Sequence, residues 1–169
     1  PLEAARTPSM DRVSRMGLLG LTTTIPPEMP AYSEVGLLSV FGIDPAAVGA
    51  GRGPFEAAGM GMTLSAGEVA FRCNLVTVSG DTLVDSTAGH ISSAEGRALI
   101  HDLNARLGSE ELTFHPGVGY RHLMIYKGRE ELTAACTEPY EVVGKDFDAE
   151  LPAGAGEQML RMLMERSRE

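Results

Sequence analysis

Alternation of apolar and polar residues is the clearest pattern in the chain, and it predicts a β-strand over residues 68–78. Side chains two residues apart share one face of a strand. The apolar face carries Val69, Phe71, Cys73 and Leu75. Arg72 and Asn74 project from the opposite face, where a guanidinium beside a carboxamide offers donors for a phosphate or a carboxylate. The same pair also fits a half-solvated sheet face, so both interpretations stand.

The rest of the pattern predicts shorter elements on both sides of this strand. A helix opens at Thr7 and Pro8, and residues 17–25 (GLLGLTTTI) are predicted as a buried strand. Ser92 and Glu95 form a capping box that starts a longer helix. The apolar stripe of that helix is predicted at Ala98, Leu99, Leu103 and Leu107. Further strands are predicted at residues 81–85, 111–114 and 120–126, and a last helix at 157–168.

The strand predicted at residues 120–126 carries a second arginine. The two-residue period places Arg121 on one face with Leu123 and Ile125, and His122 on the other. Arg121 is therefore a second candidate for binding an anionic group of a substrate. A structural salt bridge is the alternative.

A serine follows a proline-rich loop. Three prolines within residues 26–30 restrict the backbone and exclude a helix there. Ser33 stands before the apolar segment 35–41, with Glu34 in the first turn, and so has the features of a helix N-cap. Gly36 leaves room for close backbone approach. Free N–H groups and the helix dipole favour negative charge at such a position, so Ser33 is either a capping serine or a nucleophile that accepts a phosphoryl group.

Two more candidates lie in glycine-bearing loops. His90 directly precedes the capping box, where it could reach a substrate, donate a proton, or bond only to its own loop. Arg52 lies in the loop 49–53, where it is either a phosphate contact or a tie between the loop and a carboxylate.

Composition narrows the possible partners. The formal charge of −9, from 14 basic and 23 acidic residues, disfavours nucleic acid and anionic membranes and leaves a small anionic substrate possible. Two cysteines make no disulfide framework, which favours a reducing compartment and a cytoplasmic location. The 169 residues contain no recognisable signal-peptide pattern and no apolar run long enough to span a membrane. The chain also has no P-loop, dinucleotide-binding glycine motif, HExxH or CxxC.

Several of these residues stand in motifs of one enzyme family. SEVG at 33–36, followed by LS at 38–39 and GIDP at 42–45, resembles the phosphorylated-serine motif of cofactor-independent (2,3-bisphosphoglycerate-independent) phosphoglycerate mutases. The similarity is to their archaeal-type branch, in the alkaline phosphatase superfamily. Further similar blocks are PLEAARTP at 1–8, GRGPFEAAG at 51–59, AFRCNLVT at 70–77, AGHIS at 88–92 and GYRH at 119–122.

The resemblance implies an α/β fold in three parts. Residues 1–59 would be part of a catalytic phosphatase-like lobe that carries the nucleophile. Residues 60–150 would form an inserted α+β module that handles the substrate, with a mostly antiparallel sheet covered by helices. Residues 151–169 would form a return helix toward the catalytic lobe.

The resemblance also implies a reaction. Ser33 would take the phosphoryl group of 3-phosphoglycerate and return it to the 2-hydroxyl, in glycolysis and gluconeogenesis. Ser33 would also be a metal ligand, because two divalent ions, Mn²⁺ or Mg²⁺, activate the serine in this family. Arg72, Asn74, His90 and Arg121 would handle the substrate, and Arg52 is a further candidate for it.

One departure from the family lowers the activity expected of the chain by itself. The family has an Asp-Gly metal motif upstream of the block at residues 1–8, and further Asp and His ligands downstream of the last helix. We therefore expect these 169 residues alone to be inactive and to bind no metal ion. The alternatives are a non-catalytic binding module on the same scaffold, or another phosphoryl or phosphonate activity, such as that labelled phosphonopyruvate decarboxylase.

Overall fold

The computed structural model describes residues 2–49, 51–128 and 131–168. The chain forms two compact units, Pro1–Gly49 and Ala50–Glu169, which are described separately. The first unit contains three helices: α1 (Pro8–Met16), α2 (Ser33–Val40) and α3 (Pro45–Val48). A 3-10 turn at Leu2–Ala4 precedes them.

The first helix begins where the sequence predicts it. Thr7 occupies the N-cap position of α1, and Pro8 is its first residue, where a missing N–H costs no hydrogen bond. No residue of α1 is buried. Val35 and Pro45 are the buried residues of α2 and α3, so little apolar surface is removed from water in this unit.

The strand predicted at residues 17–25 is wrong. The described backbone there has no strand, and Leu18, Leu19 and Leu21 are exposed. A strand needs a neighbour for its backbone hydrogen bonds, and all the strands of the described residues lie in the second unit.

The second unit is built on a three-stranded antiparallel sheet. Its strands are β1 (Val69–Asn74), β4 (Leu112–Val118) and β5 (Arg121–Tyr126), in the order β1-β5-β4. A separate hairpin pairs β2 (Thr77–Ser79) with β3 (Thr82–Asp85). The single strand predicted at residues 68–78 is therefore two strands in two sheets, whereas the mixed α/β class with a mostly antiparallel sheet is confirmed.

Helices cover both faces of the three-stranded sheet. The helices α5 (Ser93–Leu107) and α7 (Glu157–Arg166) lie on one face. The helix α4 (Arg52–Gly59) packs on the other face. A short helix, α6 (Pro139–Val142), comes after β5 in the sequence. The α5–α7 face contributes the larger apolar cluster: Ile100, Leu112, Phe114, Met124, Tyr126, Leu132, Ala134, Leu160 and Leu163. The α4 face contributes Ala57, Ala70, Leu123 and Ile125.

The buried face of α5 differs from the predicted stripe. Its capping box is present, but Ala98 and Leu99 are exposed, and the helix buries Gly96 and Ile100 instead. Leu103 and Leu107 pack against the same cluster, as predicted. The error comes from Gly96, which has no apolar side chain to count and yet marks the closest approach of α5 to the sheet.

The helix α4 belongs to the second unit by its contacts. It approaches β1 so closely that a Cβ on Gly53 would lie 1.8 Å from the carbonyl oxygen of Ala70. The boundary between compact units therefore lies at residues 49 and 50, and α7 is also in the second unit. How these units correspond to the lobe and module that the sequence predicts stays a prediction.

No helix of the described residues is long and apolar enough to cross a membrane.

Candidate functional site

One end of the sheet brings three of the predicted site residues onto the same face. The register of β1 and β5 pairs Asn74 with Arg121 and Arg72 with Leu123. Directly paired residues of antiparallel strands share a face. The N–H of Leu75 donates to the carbonyl of Tyr120 at 2.8 Å and so closes this end of the strand pair. Arg72, Asn74 and Arg121 thus form a polar cluster where β1 ends and β5 begins.

Arg72 lies at the border between this polar cluster and the apolar core. Its Nε donates to Asn74 Oδ1 at 3.2 Å and lies 3.8 Å from Glu56 Oε1 of α4. The Arg72 side chain is only 15% exposed, so these two contacts hold the guanidinium in place. Asn74 orients the arginine, and the Glu56 carboxylate offsets part of its charge.

Arg121 is the exposed member of the cluster. Its guanidinium lies 5.1 Å from the centre of the Tyr120 ring and donates to the Tyr120 hydroxyl at 3.1 Å. Stacking on an aromatic ring restricts the arginine while leaving donors directed at solvent. The cluster therefore combines one fixed, half-buried cation with one accessible cation, which suits a small ligand with two anionic groups.

His90 lies in a backbone turn of left-handed conformation. Ala88, Gly89 and His90 have φ values of 49°, 65° and 56°, which are uncommon for residues with a Cβ. The carboxylate of Asp85 holds the turn, because it accepts from the Thr87 N–H at 2.8 Å, the Thr87 hydroxyl at 2.7 Å and the Gly89 N–H at 2.6 Å. These hydrogen bonds, that of the Thr87 hydroxyl first, lower the pKa of Asp85. The turn leaves the His90 side chain exposed.

The His90 turn lies near the polar cluster. The N–H of Gly119 donates to Ser93 Oγ at 3.0 Å, and a Cβ on Gly119 would lie 3.5 Å from the carbonyl oxygen of Ile91. The loop that follows His90 and the turn that precedes Arg121 are therefore in contact. The sequence predicts both residues as substrate contacts, and the fold brings their loops to one end of the second unit.

Ser33 is the first residue of α2 and not its N-cap. Tyr32 occupies the N-cap position, and no side-chain hydrogen bond caps the helix. The sequence-based N-cap assignment of Ser33 is therefore wrong by one residue, whereas the helix itself is confirmed. The Ser33 side chain is exposed. Gly36, one turn on, faces the Ile25 side chain, which would lie 3.4 Å from a Cβ there, so a side chain and not backbone fills that space.

Arg52 is engaged by a carboxylate. It is the first residue of α4, and its Nη1 lies 3.3 Å from Glu138 Oε2, with both side chains 17% exposed. Of the two interpretations of Arg52 from sequence, this contact matches the tie to a carboxylate. A phosphate contact at Arg52 stays a prediction.

Two histidines near the polar cluster were not among the predicted site residues. His115 pairs with Leu123 on β4, and so shares a row with Arg72 across the sheet; its Nε2 lies 2.9 Å from Thr113 Oγ1. His122 is buried on the opposite face. The row that His115 shares with Arg72 depends on strand register, which local sequence does not reveal. The face of His122 follows from the period of its strand, whereas its burial depends on the packing of α5.

The described residues do not by themselves form a metal centre. Within the ranges 2–49, 51–128 and 131–168, no group of three or more His, Cys, Asp or Glu side chains is arranged to hold a metal ion. A site for two divalent ions normally uses several oxygen or nitrogen ligands from such residues. Ser33 alone does not fit that requirement.

Comparison with known proteins identifies the family. A model of the family described as 2,3-bisphosphoglycerate-independent phosphoglycerate mutase matches residues 14–169. The chain is 46% identical, over 98% of its length, to the 2,3-bisphosphoglycerate-independent phosphoglycerate mutase of Methanosarcina barkeri, and 43% identical, over 98%, to that of Methanosarcina acetivorans. The solved structure of a cofactor-independent phosphoglycerate mutase from Thermoplasma acidophilum matches 82% of this chain with a TM-score of 0.59 and 25% identity.

These matches share a mixed α/β fold with the chain and agree with the sequence motifs. The chain belongs to the 2,3-bisphosphoglycerate-independent phosphoglycerate mutase family. It spans 42% of the length of the two Methanosarcina proteins and 39% of the Thermoplasma chain.

Proposed function

We propose that the chain is part of a phosphoglycerate mutase that interconverts 3-phosphoglycerate and 2-phosphoglycerate through a phosphoserine at Ser33, in glycolysis and gluconeogenesis. The observation that carries this proposal is an exposed serine at the first position of a helix, within a family match that covers residues 14–169. An exposed hydroxyl that caps no helix is accessible to a substrate phosphate.

The first turn of α2 suits a phosphorylated serine. Ser33 Oγ attacks the phosphorus of the substrate, the bond from phosphorus to the substrate oxygen breaks, and the serine proton ends on that oxygen, so that a phosphoserine and glycerate result. The first backbone N–H groups of a helix have no intrahelical partner, and the helix dipole is positive at that end, so both stabilise the added negative charge. The reverse transfer to the 2-hydroxyl completes the isomerisation.

The polar cluster is the proposed substrate-handling site. Arg72 and Arg121 bind the anionic groups of phosphoglycerate, Asn74 orients Arg72, and His90 contributes a polar contact or a proton from its turn. The hydrogen bond from Arg72 to Asn74 and the stacking of Arg121 on Tyr120 support this role, because they hold both guanidinium groups before a ligand arrives.

The same proposal covers the domain organisation, the substrate and the location of the protein. The nucleophile belongs to a phosphatase-like lobe, and the antiparallel sheet belongs to an inserted module. The Mn²⁺ or Mg²⁺ ions implied by the family need more ligands than the described residues offer, so no step above depends on them. The substrate is a small phosphorylated acid, and the cytoplasm is the proposed location.

A chimera of this chain and a relative tests the proposal. Residues 1–169 replace the matching segment of the Methanosarcina barkeri protein, and the conversion of 3-phosphoglycerate to 2-phosphoglycerate is measured with Mn²⁺. We expect activity in the chimera, and a loss of at least about a thousandfold in its Ser33→Ala variant, because the nucleophile is gone. Mass spectrometry of the active chimera during turnover should find phosphate on the peptide that contains Ser33.

Ser39 supplies the matched control. It lies in the same helix, where its hydroxyl donates to the carbonyl of Val35 at 3.0 Å. The Ser39→Ala chimera should keep activity within about threefold, as expected of a residue outside the chemistry. Activity in the Ser33→Ala chimera, or an equal loss of activity in the Ser39→Ala chimera, would refute the assignment of the nucleophile.

A further inference from the structure

His122 is the buried polar side chain of the second unit's sheet. It is 2% exposed, on the face of β5 that packs against α5. Its Nδ1 accepts a hydrogen bond from the Gly117 N–H at 3.1 Å. A backbone N–H can only donate, so Nδ1 must be unprotonated and the proton must sit on Nε2. Nε2 has no hydrogen-bond partner within the described residues.

The imidazole fills the contact between α5 and the turn that joins β4 to β5. A Cβ on Gly96 would lie 3.2 Å from His122 Cε1, 3.3 Å from its Nε2 and 2.4 Å from the carbonyl oxygen of Gly119. The helix backbone, the imidazole and the turn backbone are therefore in direct contact. The hydrogen bond from the Gly119 N–H to Ser93 Oγ joins the same two elements a second time.

Among the residues that the structure describes, His122 forms no salt bridge with a carboxylate. From β1 it faces Cys73, its partner in the strand register, whose thiol has a pKa raised by burial to about 11. From α5 it faces Gly96, and the neighbouring Glu95 carboxylate is bonded to Ser92. From β4 it faces the backbone of Gly117. Burial lowers the pKa of His122, and the Gly119 carbonyl opposes this shift.

We propose that His122 is a positioning residue: its neutral imidazole fixes the end of β4 at Gly117 and the turn at residues 119–120 against the first turn of α5, and thereby holds Arg121 and the His90 turn at a set spacing. The role goes beyond the proposed function, because it depends only on contacts inside the second unit. Arg121 follows this turn directly, and the His90 turn precedes α5 directly, so a loosened contact changes both candidate substrate contacts together.

Protonation should open this contact, and the direction follows from linkage. A protonated Nδ1 cannot accept from Gly117, and the buried cation has no counter-charge. An opened turn exposes the imidazole, which then titrates near its ordinary pKa of 6.5. The opened population should therefore rise as pH falls below 6.5, by up to about tenfold between pH 7.5 and pH 5.5.

Amide hydrogen exchange of the 169-residue chain, followed residue by residue by NMR, tests the proposal. The readout is the protection of the Gly117 and Gly119 amides relative to an unstructured peptide at the same pH. We expect protection of both amides to fall together, by up to about tenfold, between pH 7.5 and pH 5.5. Protection that is equal at the two pH values would overturn the proposal.

Variants separate the role of the imidazole from a general effect of acid. His122→Asn keeps an acceptor near the position of Nδ1 but does not titrate, so Gly117 should stay protected and lose its pH dependence. His101→Asn, at an exposed position of α5, should keep the pH dependence of the parent chain. A pH dependence that survives in His122→Asn would contradict the role assigned to the imidazole.

A measurement on the unaltered chain covers the case in which the Asn variant does not fold. The His122 ring protons can be followed by NMR through the same pH range, beside those of exposed His101. We expect His122 to stay neutral in the folded state at pH values where the imidazole of an unstructured peptide is already protonated, because burial lowers its pKa. A His122 that titrates at the ordinary pKa of an exposed imidazole, with Gly117 still protected, would overturn the proposal without any reference to mutase activity.

Discussion

At the scale of single residues, the candidate site is organised by polar side chains that hold other polar groups in place. Asn74 orients Arg72, Tyr120 restricts Arg121, and the Asp85 carboxylate closes the His90 turn. Asn74 and Tyr120 are uncharged, so they hold the arginines without neutralising them, whereas the Glu56 carboxylate offsets part of the charge of Arg72. The His90 turn depends on one carboxylate, which accepts three of its hydrogen bonds.

The Asp85 carboxylate makes the His90 turn sensitive to acid. Its hydrogen bonds, the one from the Thr87 hydroxyl first, lower its pKa from 3.8, so the stabilisation is complete above pH 3.8 and is lost as pH falls through the lowered value. We expect the Gly89 and His90 amides to stay protected from hydrogen exchange at pH 5 and to lose protection below pH 3.8. NMR-detected exchange measures this.

The Asp85→Asn variant tests the same carboxylate at neutral pH. A carboxamide has one acceptor oxygen where Asp85 uses two, so Gly89 should lose protection at pH 7 by about fivefold, the factor that corresponds to one hydrogen bond. Asp81→Asn, at the nearby turn between β2 and β3, should leave Gly89 unchanged. Full protection of Gly89 in Asp85→Asn would show that the turn does not depend on the carboxylate.

At the scale of elements, the backbone of α4 lies directly against the backbone of β1. Gly53 lies against the carbonyl of Ala70, and Ala57 packs one turn further along the same helix. This close contact places Glu56 near Arg72 and so brings α4 to the border of the polar cluster. The position of the helix therefore affects both the stability of the second unit and the orientation of Arg72.

Two glycines of α4 give a matched test of this contact. Gly53→Ala places a Cβ 1.8 Å from the Ala70 carbonyl oxygen, so α4 must move away from β1, at a cost of about 1–3 kcal/mol in the free energy of unfolding. Gly59→Ala meets no atom within 4 Å and should be neutral or stabilising by up to about 1 kcal/mol. Urea unfolding followed by circular dichroism measures both. Equal stability of the two variants would contradict a close contact at Gly53.

At the scale of the whole molecule, local patterns were predictable and contacts between distant segments were not. The opposite faces of Arg72 and Phe71 follow from the period of one strand, and the prediction is confirmed. The pairing of Asn74 with Arg121 depends on register between strands far apart in sequence, so only their presence on strands was predictable. The strand predicted at residues 17–25 failed for the same reason, because an apolar run becomes a strand only where neighbours can pair with it.

The exposed leucines of that run lead to a prediction for the whole chain. Leu18, Leu19 and Leu21 are exposed and close together in sequence, and exposed apolar side chains bind apolar dyes. We expect the folded chain to bind the dye ANS at neutral pH, and the triple replacement of these leucines by serine to lower the ANS fluorescence by about twofold or more.

Two controls accompany this test. In the triple variant, the free energy of unfolding of the second unit, measured in urea, should change by less than about 0.5 kcal/mol, because the leucines lie outside that unit. Leu99→Ser, at a singly exposed leucine of α5, should leave the fluorescence unchanged. Equal ANS fluorescence in the parent chain and the triple variant would show that the dye binds elsewhere.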